Sequence, residues 1–248
     1  MLLTADEITD RQTGLRGDIH IMIKAIFIDF YGTVVHEDGE VIKRVSQEIY
    51  NSGKVNDISE IGSYWWNEFQ TAFTNAYGDN FETQRKLEYL SLKKTIQHFN
   101  SSANAEILSN LMFAHWIKPP IFEESKHFFE LCPVPIYVVS NIDRDDILQA
   151  LNYHDLNPTG VFTSEDAKSY KPRRELFEFA LKSVRIPADE VLHIGDSLSS
   201  DIKGASSIGI NAIWINRNNR EIPSNVTAVK NLLEVYNTEY FKSLQIST

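Results

Sequence analysis

The sequence predicts an α/β fold: a doubly wound parallel sheet with a helical bundle set into it. Three observations lead there. Five short apolar segments rich in β-branched residues lack strict alternation, as strands do when both faces of a sheet are covered. Helical periodicity separates the later segments, and strand alternating with helix gives a parallel sheet. The gap between the first and second strands holds more than a hundred residues, whereas a crossover needs about a dozen.

Residues 1–21 carry Asp6, Glu7 and Asp10, with no apolar centre and no clean period. They read as a poorly ordered extension rather than a signal peptide. The fold starts at Met22, and the strands are expected at "IMIKAIFID" (21–29), "VPIYVVSN" (134–141), "GVFTS" (160–164), "EVLHIGD" (190–196) and "NAIWIN" (211–216). Between them, Ile147, Leu148 and Leu151 mark one helix, and Leu176, Phe177, Ala180, Leu181 and Val184 another.

The insert is helical throughout. Val41, Val45 and Ile49 recur at helical spacing, and Ile61, Trp65, Phe69, Phe73 and Tyr77 repeat the step. Asp57 with Glu60 suggests a capping box at the start of that second helix. Leu87, Leu90, Leu92, Lys94, Ile96 and Phe99 mark a third helix. Ile107, Leu108, Leu111 and Met112 mark a fourth, which "KPP" at 118–120 stops. The predicted organisation is therefore a core of residues 22–40 and 119–248 and a four-helix unit of residues 41–118. Asp38-Gly39 between short apolar pairs is a two-residue hairpin signal, expected to hang over the C-terminal end of the first strand.

Composition narrows the function. The net charge of −10 argues against nucleic acid or an anionic membrane as partner. A small anionic substrate stays possible, because a local site can be positive on an acidic protein. The one cysteine, Cys132, excludes an internal disulfide and fits a reducing, cytoplasmic setting. It reads as a small buried hydrophobe. The seven histidines lack zinc-ligand spacing.

The strand ends carry the chemistry. The first strand ends in Asp29, the second in Ser140-Asn141 and the fourth in Gly195-Asp196, followed by Asp201; Lys171 stands before Pro172 at a helix start. All fall at one edge of the sheet. Asp29, Asp196 and Asp201 converging in a cleft would repel one another, and a hard divalent cation such as Mg²⁺ resolves this. Lys171 supplies a second positive charge, Ser140 and backbone N–H groups can hold phosphoryl oxygens, and a carboxylate can attack phosphorus.

"DFYGT", "VVSN", "YKP" and "GDSLSSD", in that order and spacing, resemble the motifs of the haloacid dehalogenase-like (HAD) hydrolase superfamily. The likeness runs from about residue 22 to 217 and includes the helical insert as the family's cap and the hairpin as its flap. It implies Asp29 as nucleophile with Lys171 as the other catalytic group. Thr33, Ser140 and Asn141 would lie around the substrate. Asp29, the Tyr31 backbone carbonyl, Asp196 and Asp201 would form the Mg²⁺ site. The substrate would be a small phosphorylated or halogenated metabolite.

Tyr31 departs from the phosphatase pattern, in which a second aspartate serves as general acid and base. A phenol with a pKa near 10 is a poor base at neutral pH, and such help is typically worth about 10²–10⁴ in rate. "DFYGT" matches the dehalogenase form, while "GDSLSSD" keeps the acidic phosphatase form. The favoured expectation is a phosphomonoesterase acting through phospho-Asp29. The alternatives are a 2-haloacid dehalogenase and a non-catalytic binder of phospho-ligands. Arg44 and Arg85 are the cap arginines available to grip a haloacid carboxylate, and each reads as a solvated charge. Trp65 reads as cap core, Trp66 as a residue able to face the cleft, His36 as an exposed hairpin residue and His193 as a packed one.

Overall fold

The computed structural model describes residues 22–241. The expectation of a poorly ordered extension over residues 1–21 lies outside them.

Six strands form one parallel sheet in the order β3-β2-β1-β4-β5-β6: β1 (Ala25–Ile28), β2 (Ile136–Ser140), β3 (Gly160–Thr163), β4 (Val191–Gly195), β5 (Asn211–Ile215) and β6 (Thr227–Val229). Alternation along β1 explains the two-sided burial. Ile26 and Ile28 enter one apolar cluster with Val138, Ile147 and Leu192; Ala25 and Phe27 enter another with Val139, Leu176 and Ala180. Every β1 residue is buried, so no polar alternation is visible in its sequence.

Four helices make up the insert after β1: α1 (Gly39–Ser52), α2 (Ile58–Asn75), α3 (Gln84–His98) and α4 (Ala105–Ile117). After them come α5 (Ser125–Leu131), α6 (Arg144–Tyr153), α7 (Ser164–Ala167), α8 (Arg174–Val184), a π-helical turn at Leu198–Lys203 and α9 (Gly204–Ser206). Val45, Ile49, Ile61, Trp65, Leu92, Ile96, Leu108 and Met112 pack together among the first four helices.

Several local expectations change. Asp38-Gly39 opens α1 and makes no hairpin. The chain instead turns tightly over residues 30–35, with Gly32 N–H donating to the Val35 carbonyl, and Val35 bridges antiparallel to Ile121. Asp57 does cap α2, accepting from Ser59 N–H at 2.9 Å; no reciprocal Glu60 side-chain bond accompanies it among the described residues. Leu90, Ile107 and Leu148 are exposed although they share the apolar spacing. β6 was not expected, because three residues after a polar stretch carry too little pattern.

The helices of the insert are tied to the sheet domain by polar contacts. The Asp143 carboxylate, just before α6, accepts from the backbone N–H groups of Gln84 and Arg85 at 2.7 and 2.9 Å, capping α3 from outside. Arg85 then grips Asp146 in a fork, with Nε at 2.8 Å and Nη2 at 2.5 Å, and its guanidinium lies over Phe113. Arg85 is thus no solvated charge. It is spent on a fully buried aspartate, and this removes it as a grip for a substrate carboxylate. Arg44 is exposed.

Candidate active site

β1, β2 and β4 deliver their C-terminal residues to one edge of the sheet, where a cavity of about 660 Å³ opens toward α2 and α4. Asp29, Tyr31, Ser140, Asn141, Lys171, Asp196 and Asp201 all line it. Thr33 is buried just behind, donating from Oγ1 to Asp29 Oδ2 at 3.2 Å.

Lys171 organises the centre. Its Nζ donates to Asp29 Oδ1 at 2.7 Å, to Asp201 Oδ1 at 2.6 Å and to the Val139 carbonyl at 2.9 Å. All three ammonium protons are therefore used, which a lysine only 2% exposed requires. Burial would lower its pKa, but the two carboxylates outweigh that and raise it, so it stays charged. Asn141 holds the backbone in place: its Oδ1 accepts from Lys171 N–H at 2.7 Å and its Nδ2 donates to the Lys171 carbonyl at 3.2 Å. Asn141, expected beside the substrate, lines the cavity with its amide engaged by Lys171.

Asp201 is equally tied. Its Oδ1 also lies 3.0 Å from His193 Nε2, and its Oδ2 accepts from Ser197 N–H at 3.0 Å. Burial would raise its pKa, yet Lys171 and His193 hold it below the ordinary carboxylate range. His193 is the packed residue expected, edge-on to Phe177, and it also orients this aspartate.

Asp29 and Asp196 differ from Asp201. Burial, with Asp201 adding to it against Lys171, raises Asp29 to about 6. Burial and the charges of Asp29 and Asp201 push Asp196 up to about 8. No hydrogen bond reaches the Asp196 carboxylate among the described residues, while its backbone carbonyl is fixed by Trp214 Nε1 at 2.8 Å and Arg220 Nη2 at 3.0 Å. One oxygen from each of Asp29, Asp196 and Asp201 lies within 4.8 Å of the other two. Three acids at this spacing share the single charge of Lys171, which suits a hard, oxygen-preferring cation.

Two glycines make the crowding possible. A Cβ on Gly32, which has φ +88°, would stand 2.5 Å from Asp196 Oδ2; one on Gly195 would stand 2.3 Å from Asp201 Cγ. Both need bare backbone for the carboxylates to approach.

Tyr31 turns its hydroxyl away from the chemistry, donating to the Trp116 carbonyl at the end of α4. Burial, together with the charges of Asp146, Asp29 and Asp38, raises its pKa further above the phenol value. Trp116 Nε1 in turn donates to Asp38 Oδ2 at 3.1 Å. On the opposite wall Trp66, Phe69, Gln70, Phe73 and Thr74 of α2 face the cavity. Phe69 and Phe73 were expected in the cap core, and Trp66 stands where its offset from the apolar stripe suggested. Arg173 also lines the cavity, its guanidinium 3.5 Å from the Tyr77 ring centroid. No sequence signal marked it beyond its place after Lys171-Pro172. His36 instead stacks on Phe122 outside the cavity, with centroids 3.9 Å apart. Cys132, expected to be buried, is half-buried, with Sγ donating to the Val134 carbonyl at 3.3 Å, and burial raises its thiol to about 11.

A parallel sheet with an aspartate closing its first strand, a buried lysine and an acidic cluster at one edge defines a class of α/β hydrolase. The model of the haloacid dehalogenase-like hydrolase family matches residues 23–209, and the chain belongs to that family. It is 33% identical over 84 residues to YfnB of Bacillus subtilis, itself described as a HAD-hydrolase, covering 33% of this chain and 36% of that protein. It is 43% identical over 44 residues to a glyceraldehyde 3-phosphate phosphatase of Pyrococcus abyssi, 18% of each chain. Those matches span about a fifth to a third of the relatives' own length. In fold, the chain resembles the L-2-haloacid dehalogenase of Xanthobacter autotrophicus, with TM-score 0.70 and 15% identity over 87% of this chain and 98% of that one. YfnB solved with bound magnesium gives TM-score 0.67 and 20% identity over 87% and 98%. The chain is thus an enzyme of the hydrolase type, with phosphatases among its sequence relatives and dehalogenases among the proteins it resembles in fold. Among the described residues no helix is long and apolar enough to cross a membrane.

Proposed function

We propose that the protein is a Mg²⁺-dependent phosphomonoesterase acting on a small phosphorylated metabolite through an aspartyl-phosphate on Asp29. The observation that carries this is the placement of Asp196 beside Asp29, its carboxylate without a hydrogen bond among the described residues and its pKa raised by burial and by the neighbouring acids. Carbon–halogen attack gains nothing from a second bare carboxylate, whereas phosphoryl transfer uses a cation placed between the acids and the phosphate. Asp29, Asp196 and the Tyr31 backbone carbonyl would hold Mg²⁺, and Asp201 would act by fixing Lys171 and the loop around Ser197. Bound there, the ion would neutralise phosphoryl charge and keep Asp29 ionised.

Asp29 would attack phosphorus with the oxygen that Lys171 does not hold. Lys171, Ser140 and the loop N–H groups would stabilise the equatorial oxygens, and Thr33 would orient the Asp29 carboxylate from behind. Asn141 would keep Lys171 in register. Tyr31 would serve as a strut to α4, leaving leaving-group protonation and water activation weak. Residues 41–118 would act as the substrate-selecting cap. A cytoplasmic site of action belongs to the same proposal, supported by one unpaired thiol.

The test is a paired assay on the purified protein and Asp29→Asn. Phosphate release from p-nitrophenyl phosphate should require Mg²⁺, stop with chelator and vanish in the variant. Chloride release from 2-chloropropionate without metal would select the dehalogenase instead. Neither product would leave a ligand-binding protein.

A further inference from the structure

A second cavity, of about 260 Å³, lies inside the cap. It shares Asp38, Trp66, Phe69, Gln84 and Trp116 with the walls of the catalytic cleft, so the two spaces adjoin. At its wall stands Glu88 of α3, only 6% exposed. Its Oε1 is buried without a hydrogen-bond partner, while Trp65 donates to the carboxyl. A buried acceptor left open is costly unless something fills it.

We propose that this cavity is the leaving-group subsite of the enzyme, built for a planar ring that carries an N–H donor on its far edge, with the carboxyl of Glu88 in its wall as the acceptor. The proposal rests on the phosphomonoesterase reading for its reaction, though not for its binding. Three further observations support it. Trp66, Phe69 and Trp116 line it, and the first two rings stack on each other, with centroids 6.3 Å apart and an interplanar angle of 22°, making an aromatic wall. No lysine, arginine or histidine lines the cavity, while Asp38 and Glu88 do; a second phosphate or a carboxylate is disfavoured there. Finally, Gly62 sits within the 18-residue α2, where its backbone needs no glycine and a Cβ would meet nothing within 4 Å. A glycine in a helix interior costs stability, and here its effect is to keep the cavity open.

The probe pair is cytidine 5′-monophosphate, a planar ring with an amino group distal to the phosphate, and ribose 5-phosphate, which lacks the ring. Wild type should show kcat/KM at least about tenfold higher for the nucleotide, in line with one buried hydrogen bond plus ring contact. Glu88→Met, which removes the acceptor, and Gly62→Leu, which fills the space, should each bring that ratio close to one. Glu88→Gln, which keeps a carbonyl oxygen, should restore part of it. Equal kcat/KM for both substrates in wild type, or a ratio that neither variant moves, would overturn the proposal. If neither substrate turns over, the phosphomonoesterase reading fails separately. The subsite is then tested by quenching of tryptophan fluorescence with cytidine: quenching abolished by Gly62→Leu upholds it, and no quenching overturns it.

Discussion

Asp201 and Glu88 are both buried acids, and the protein treats them in opposite ways. Asp201 accepts from Lys171 and Ser197 and sits against His193, so its charge is held even without solvent. Glu88 has Trp65 alone, and burial, with Asp38 adding to it, pushes its carboxyl up to about 8. The centre at the sheet edge is a closed polar network around fixed groups. The cap cavity is an open apolar space with one unmet acceptor. Ligand is expected to finish the structure at Asp196 and at the Glu88 carboxyl, not at Asp201. A donor bound to that carboxyl would bring its pKa back down.

Breaking the closed network should have the largest effect. Lys171→Met leaves Asp29 and Asp201 buried and unpaired, and urea unfolding should show a loss of about 3–5 kcal/mol. The loss should be greater at pH 8 than at pH 5, where Asp29 takes up a proton. Opening the comparison at the other end gives a smaller effect of opposite dependence. Glu88 binds its proton more tightly folded than unfolded, so its contribution is full below the unfolded value of 4.5 and falls as pH rises toward about 8. Asp29 and Asp196 slope the same way. Glu88→Gln should therefore flatten, without abolishing, the fall in Tm between pH 5 and pH 8; an unchanged slope would mean that Glu88 finds another partner. The smallest effect belongs to Gly62→Ala. Helix propensity alone should raise stability by about 0.5–1 kcal/mol, readable as a higher urea midpoint, because the new methyl meets nothing within 4 Å.

The sheet edge was legible in the sequence because strand ends are fixed by topology. Asp29, Ser140 and Asp196 each close an apolar run, so their convergence follows from the parallel order alone. Lys171 was readable from its place before Pro172, but its three acceptors were not. The cap was less legible. Helical period gives the stripe through Ile61, Trp65, Phe69 and Phe73, but period cannot tell a residue packed in a core from one facing a cavity. Glu88 and Arg85 look like ordinary surface charges on a helix; only the packing of α3 against α2 and α6 buries one and pairs the other. Asp38-Gly39 misled because the same two residues that favour a tight turn also suit the start of a helix, and the pairing of Val35 with Ile121 decides between them.

The central claim is that Asp29 carries the phosphoryl group, and Tyr31 makes it directly observable. A phenol locked to the Trp116 carbonyl is a poor base for the second step, so the intermediate should accumulate. The protein should be mixed with p-nitrophenyl phosphate and Mg²⁺, quenched in acid and measured by intact mass and peptide mapping. One added phosphoryl group is expected on Asp29, absent in Asp29→Asn and with chelator, and less of it in Tyr31→Asp, where a carboxylate can activate water. Nitrophenol release with no adduct in wild type, or an adduct on any other residue, would contradict it.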